Sequence, residues 1–203
     1  MIDPVVDYLV ARHGMPAPSG GAYDYVLAGD GLFLCASNVD LDVRIPVASC
    51  AVRGLPPLYP ACTLKQGRVP QSIWDELLHY LHMAHIARCE MMVGVRYEIA
   101  EYRLIVPPQA VGPASVSYPP QDDLVLELHS HGAALAHFSR TDTADEQRLR
   151  IYGVVGRLDS DRPQVSLRAG AYGYFLRLPW TSVFDGAPDL LDDTLCEPSI
   201  ECA

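Results

Sequence analysis

Residues Leu124 to Leu128 form a short, nearly continuous apolar run that leads into His129-Ser130-His131. Such a run reads as a strand buried at the centre of a sheet. A central strand needs neighbours on both sides and layers over its faces, so the chain must build a sheet with a covered core. The residues after the run are equally directive. Gly132 permits a sharp departure from the strand. Ser139 reads as the N-cap of the next helix, with Asp142 at its third position and a polar, helix-prone stretch to Arg150.

The rest of the chain supplies the neighbours. Tyr23–Ala28 and Leu32–Ala36 are β-prone runs joined by Gly-Asp-Gly, a hairpin signal. Leu41–Ala48 is a third run, in which Pro46 marks an edge or a strand end. Residues 71–87 read as a helix with Ile73, Trp74, Leu77, Leu78, Leu81 and Ala84 on one face, Ser72 as its N-cap, and Asp75 and Glu76 in its first turn. Strands are expected at 90–97 and 101–106. A proline-rich loop at 107–120 is a candidate lid or groove wall, or an inert surface loop. Further strands are expected at 153–158, 165–169 and 172–178. The expected fold class is α+β (α/β-like): a mixed, curved sheet flanked by helices at 71–87 and 140–150. Three regions are expected: a small β-rich appendage over 1–69, the main domain over 70–186, and a solvated, frayed acidic tail over 187–203.

Composition narrows the function classes. The chain has 203 residues and a net charge of −10, from 15 basic and 25 acidic residues. Non-specific binding to nucleic acid needs a basic surface, so no nucleic-acid partner is expected. No run of eighteen apolar residues is present, and the first ten residues lack a basic stretch before an apolar one, so neither a spanning helix nor a signal peptide is expected. The six cysteines (35, 50, 62, 89, 196 and 202) form no Cys-x-x-Cys pair and read as reduced thiols in a cytoplasmic protein. Lys65 is the only lysine.

The chemistry concentrates between Glu127 and Asp142. In extended backbone, residues two apart point the same way, so His129 and His131 converge on one point. Neutral imidazole is a preferred zinc ligand, and Asp142, at the start of the next helix, is the candidate third ligand. Two His and one Asp leave a fourth tetrahedral position open, the mark of a catalytic zinc, where a bound water has its pKa lowered to roughly 7. Ser130 points to the other side of the strand. His137 matches no ligand slot, and His79, His82 and His85 drift around their helix and read as solvated or half-buried.

His-Ser-His, seven residues, Ser139, two residues and Asp142 together resemble the JAMM motif of MPN/JAB-domain zinc metalloproteases. That resemblance covers about residues 71–186 and implies a cytidine-deaminase-like MPN/JAB fold. It also implies an upstream glutamate as general base. The best counterpart is Glu90 in Cys-Glu-Met-Met-Val-Gly94, one residue longer to its glycine than the common form; Glu98 and Glu101 rank second and third. The whole chain resembles, more narrowly, the PRTRC system protein A family, encoded beside an E1-like (ThiF-related) protein and a small ubiquitin-like protein. The resemblance implies one zinc on His129, His131 and Asp142, proton transfer by Glu90, and oxyanion stabilisation by Ser139. The implied reaction is cleavage of a peptide or isopeptide bond after the tail of a ubiquitin-like protein. The alternatives are a non-catalytic MPN-type binding module and a zinc hydrolase acting on another small peptide or amide. A thiol enzyme built on Cys89 has no support in the spacing.

Overall fold

The computed structural model describes residues 5–186 and a two-residue strand at 200–201. The N-terminal third is built from β1 (Val6–Val10), β2 (Tyr23–Ala28), β3 (Gly31–Ser37), β4 (Leu41–Ser49) and β5 (Ala61–Leu64). Then come α1 (Gln71–Ile86), β6 (Met92–Glu98), β7 (Glu101–Ile105), β8 (Ala110–Gly112), β9 (Ser115–Ser117) and β10 (Leu126–Ser130). The chain continues through α2 (Arg140–Asp145), β11 (Arg150–Gly156), β12 (Gln164–Ala171), β13 (Tyr174–Leu178), α3 (Trp180–Val183) and β14 (Ile200–Glu201). The fold is mixed α/β, dominated by strands. Among the described residues, β1 to β5 form one sheet in chain order, and a seven-stranded sheet runs β14-β13-β12-β11-β10-β6-β7. β8 and β9 make a separate hairpin. β10 is central, as its apolar run requires: it pairs antiparallel with β6 and parallel with β11.

The seven-stranded sheet has two chemically different faces, set by the two-residue alternation of its strands. On one face, Leu126 and Leu128 of β10, Val93 and Val95 of β6, and Leu167 and Ala169 of β12 join one apolar core. Trp74, Leu77 and Leu81 of α1 pack into it, as do Leu34, Leu41, Val43 and Ile45 of the N-terminal sheet. The region expected as a small appendage therefore shares its buried face with the rest of the chain. Tyr25 on β2 and Tyr174 on β13 also meet through their hydroxyls at 3.0 Å. The opposite face carries Glu127 and His129 of β10, Tyr152 of β11 and Arg168 of β12.

Several local expectations need correction. α1 begins at Gln71 with Pro70 as its N-cap and no side-chain cap, so Ser72 lies inside the first turn, which holds no acidic residue. A proline there loses nothing, because an N–H at that position would have no helical partner. The helix expected over 140–150 stops at Asp145, because Glu146 turns inward to an arginine and Arg150 already belongs to β11. The 107–120 loop folds into the β8–β9 hairpin. Pro46 falls on the part of β4 beyond the end of β5, beside a register shift that leaves Val47 unpaired. The acidic tail, with Cys196 and Cys202, lies outside the described residues, apart from the β13–β14 pairing. The other four cysteines are free.

Candidate metal centre

His129 is the last residue but one of β10 and His131 lies just beyond the strand, both at the carboxyl end of a strand paired in parallel with β11. That end of an open sheet is where ligands ordinarily bind. The two rings converge, with their Nε2 atoms 3.1 Å apart. His131 is held at both ends. Its backbone N–H donates to Val155 O, and its Nδ1 meets Leu135 O at 3.3 Å. A carbonyl only accepts, so Nδ1 carries the proton and Nε2 presents a lone pair. Gly132 leaves the strand with φ of +53°, the left-handed turn expected of it. The loop then lies directly on Gly156 of β11, where a Cβ would collide with Ala134 O. Only glycine fits beneath that loop.

α2 brings the third donor. Ser139 is its N-cap and forms a full capping box with Asp142. Ser139 Oγ accepts from the Asp142 N–H at 3.1 Å, and the Ser139 N–H donates to Asp142 Oδ2. This engages one carboxylate oxygen and turns the other, Oδ1, toward His129 Nε2 at 3.6 Å. His129, His131 and Asp142 offer ligand atoms that all lie within 4.8 Å of one another, a group that could hold a metal ion.

Glu90 sits in the extended link between α1 and β6 and lines the same cavity, of about 470 Å³, as the three donors and Ser139. Its surroundings are fixed on two sides. The Glu90 N–H donates to Gly112 O on β8, and the next N–H, of Met91, donates to Ser130 Oγ at 3.0 Å. Ser130, fully buried and facing away from the two imidazoles, thus braces the segment that carries Glu90. Gln109 adds a third brace by exchanging hydrogen bonds with both backbone groups of Met92. Glu98 and Glu101 face each other at the far end of the β6–β7 hairpin, ion-paired with Arg96 and Arg103, and do not line the cavity. The β8–β9 hairpin forms one wall through Ser115 and Val116. His137 packs against the His131 ring, with centroids 5.2 Å apart, and its Nδ1 also meets Leu135 O.

Burial and charge tune these groups. Desolvation pushes His129 down to about 4, and Asp142 opposes that shift, so the imidazole is neutral at pH 7. Desolvation also lowers His131, against its bond to Leu135 O. Burial pushes the Asp142 carboxyl up, but His129 and the Ser139 hydrogen bonds hold it below its ordinary value. Burial and the nearby Asp142 charge raise Glu90, the direction that suits a group exchanging protons near neutrality. The donors are therefore two neutral imidazoles and one carboxylate, the protonation states that bind a metal.

Behind α2 lies a buried ion pair that no sequence motif announces. Arg168 is almost fully buried, with Phe138 and Phe175 at 3.7 and 3.8 Å from its guanidinium carbon. It donates to Glu146 at 2.7 Å and to Thr143 Oγ1 at 3.4 Å. The one available signal was an arginine inside an otherwise buried strand, which demands a partner. Glu127 likewise accepts from Tyr118 at 2.6 Å and from Arg150.

No family model matches the chain, and no curated protein matches it. No helix among the described residues is long and apolar enough to cross a membrane.

Proposed function

We propose that the chain is a zinc-dependent metallo-isopeptidase or peptidase of the JAMM type with an MPN/JAB fold. Its substrate is the bond after the C-terminal tail of a ubiquitin-like protein. The observation that carries this reading is the convergence of His129 Nε2, His131 Nε2 and Asp142 Oδ1 in a cavity also lined by Glu90 and Ser139. Zinc–nitrogen bonds of about 2.0–2.1 Å at tetrahedral angles put two ligand atoms about 3.3 Å apart. The separations of 3.1 and 3.6 Å bracket that value. His129, His131 and Asp142 would hold the ion, which supplies a Lewis acid and an activated water.

The chain's own residues do the rest. Glu90 takes the proton of the attacking water and returns it to the leaving amine. The Ser139 oxygen accepts from Asp142 N–H, which leaves its own proton to donate to the developing oxyanion. The ubiquitin-like protein, and an E1-like protein that acts on it, are the partners in this reading, and the cytoplasm is the location.

The test is a ubiquitin-like protein fused through its C-terminus to a reporter. Wild-type chain is expected to release the reporter, a chelator to stop release, and Glu90→Gln to slow it by about 10²- to 10⁴-fold with zinc retained. Zinc-loaded wild type that binds the fusion without cleaving it would contradict the enzyme and favour the binding module.

A further inference from the structure

A second cavity, of about 530 Å³, lies at the N-terminal sheet, and the metal donors do not line it. A cross-strand row runs through it: Asp24 on β2 pairs with Cys35 on β3, Cys35 with Arg44 on β4, and Arg44 with Ala61 on β5. Met15 and Pro18, from the loop between β1 and β2, complete the lining. The size suits a small ligand, and the walls are largely apolar with a few polar groups.

Three charged residues line this cavity, and only one lacks a partner. Asp24, 5% exposed, accepts from the Ser19 hydroxyl on one oxygen and from the Ser19 N–H on the other. Asp42 is paired with Lys65 at 3.1 Å. Arg44 makes no hydrogen bond or ion pair among the described residues, and its Nε is shielded from solvent with no acceptor. The Nε atoms of Arg96 and Arg150 also lack acceptors, but those guanidinium groups are ion-paired and that of Arg44 is not. A carboxylate can take two parallel bonds from such an open guanidinium fork. Cys35 supplies no competing anion, because burial pushes its thiol up to about 11.

We propose that this cavity binds a small organic carboxylate, with its two oxygens on the Arg44 fork and a short apolar body against Met15 and Pro18. One guanidinium balances one negative charge. A phosphate dianion would bring excess charge toward Asp24 and Asp42, so a monoanion fits better.

The test monitors the Arg44 Nε–Hε resonance by NMR while hexanoate, neutral hexanamide or inorganic phosphate is added to the full chain. Hexanoate is expected to shift that resonance saturably, with a dissociation constant on the order of 1 mM or tighter. Hexanamide, which cannot form the charge-assisted pair, and phosphate, whose second charge faces Asp24 and Asp42, are each expected to bind at least about tenfold more weakly. Followed through the backbone resonances of Asp24 and Cys35, Arg44→Gln should weaken hexanoate binding by a similar factor. Arg44→Lys, which keeps the charge and loses the fork, should fall between the two and serves alone if Arg44→Gln does not fold. No saturable shift, equal binding of hexanamide or phosphate, or a lysine variant that binds as wild type does would overturn the proposal. None of these readouts depends on zinc or on cleavage.

Discussion

His129 and His131 are two residues apart and share a face, yet they are held differently. His131 has its proton fixed by Leu135 O, while His129 is governed by burial beside Asp142. This gives a pH dependence with a definite sign. Because the folded pKa of His129 is about 4, below its ordinary 6.5, the unfolded chain binds more protons between those values. In metal-free protein the stability from a neutral His129 is fully present above about 6.5 and is lost as pH falls through 4. Thermal melts of chelated wild type should therefore drop more steeply between pH 6.5 and 4.5 than melts of His129→Asn. Parallel curves would contradict this assignment. At the residue scale the metal donors were legible because each constraint is local: a two-residue spacing in a strand, and a capping box spanning three residues. Glu90 was legible only through resemblance. Its approach to the donors depends on tertiary braces from Ser130, Gln109 and Gly112, which no local pattern encodes.

Among the elements, α2 carries the most function for its length. Six residues long, it cannot be stable alone, so its position depends on its caps and on what packs behind it. Arg168 supplies much of that support by holding Thr143 and Glu146 from the sheet below. Burial outweighs Arg168 and pushes the Glu146 carboxyl up to about 8. Arg168→Met should therefore cost about 1–3 kcal/mol in urea unfolding, by leaving that buried carboxyl without its donor rather than by stranding a full charge. Adding Glu146→Leu should recover part of that loss, since it removes the unsatisfied buried carboxyl but not the lost Arg168 contacts to Thr143, Phe138 and Phe175. Additive losses in the double variant would show that the two residues do not work as a pair. The same interaction explains why α2 is shorter than its sequence predicts. The 140–150 stretch is helix-prone throughout, but Glu146 leaves the helix for a partner 22 residues away. The β8–β9 hairpin was hidden by Pro107 and Pro108, and β5 carries too little β-signal to stand out by itself. β1 does carry one, in Val6, Tyr8 and Val10, but it is short and half-exposed. The longer β2, β3, β4 and α1 were legible because burial and local preference agree along them.

For the whole molecule, the arrangement of layers determines where chemistry is possible. One face of the seven-stranded sheet is sealed by α1 and the N-terminal sheet, so the other face and the strand ends carry the polar groups. Residues 1–69 look separate in the sequence because nothing in their chemistry connects them to the metal donors. The shared core arises from alternate residues of β3 and β4, whose buried side cannot be told from their exposed side without the partner sheet. The two cavities also differ in charge. The one in the N-terminal sheet sets an unpaired guanidinium, Arg44, beside two carboxylates that already have partners, whereas the metal centre offers neutral and anionic donors.

The central claim is that His129, His131 and Asp142 bind zinc, and elemental analysis of wild type and His131→Ala purified side by side tests it most directly. About one zinc per wild-type chain is predicted, with loss of that zinc in a folded variant, since a catalytic zinc keeps three protein ligands. A folded, chelator-free wild type that holds no zinc, even after reloading, would contradict it.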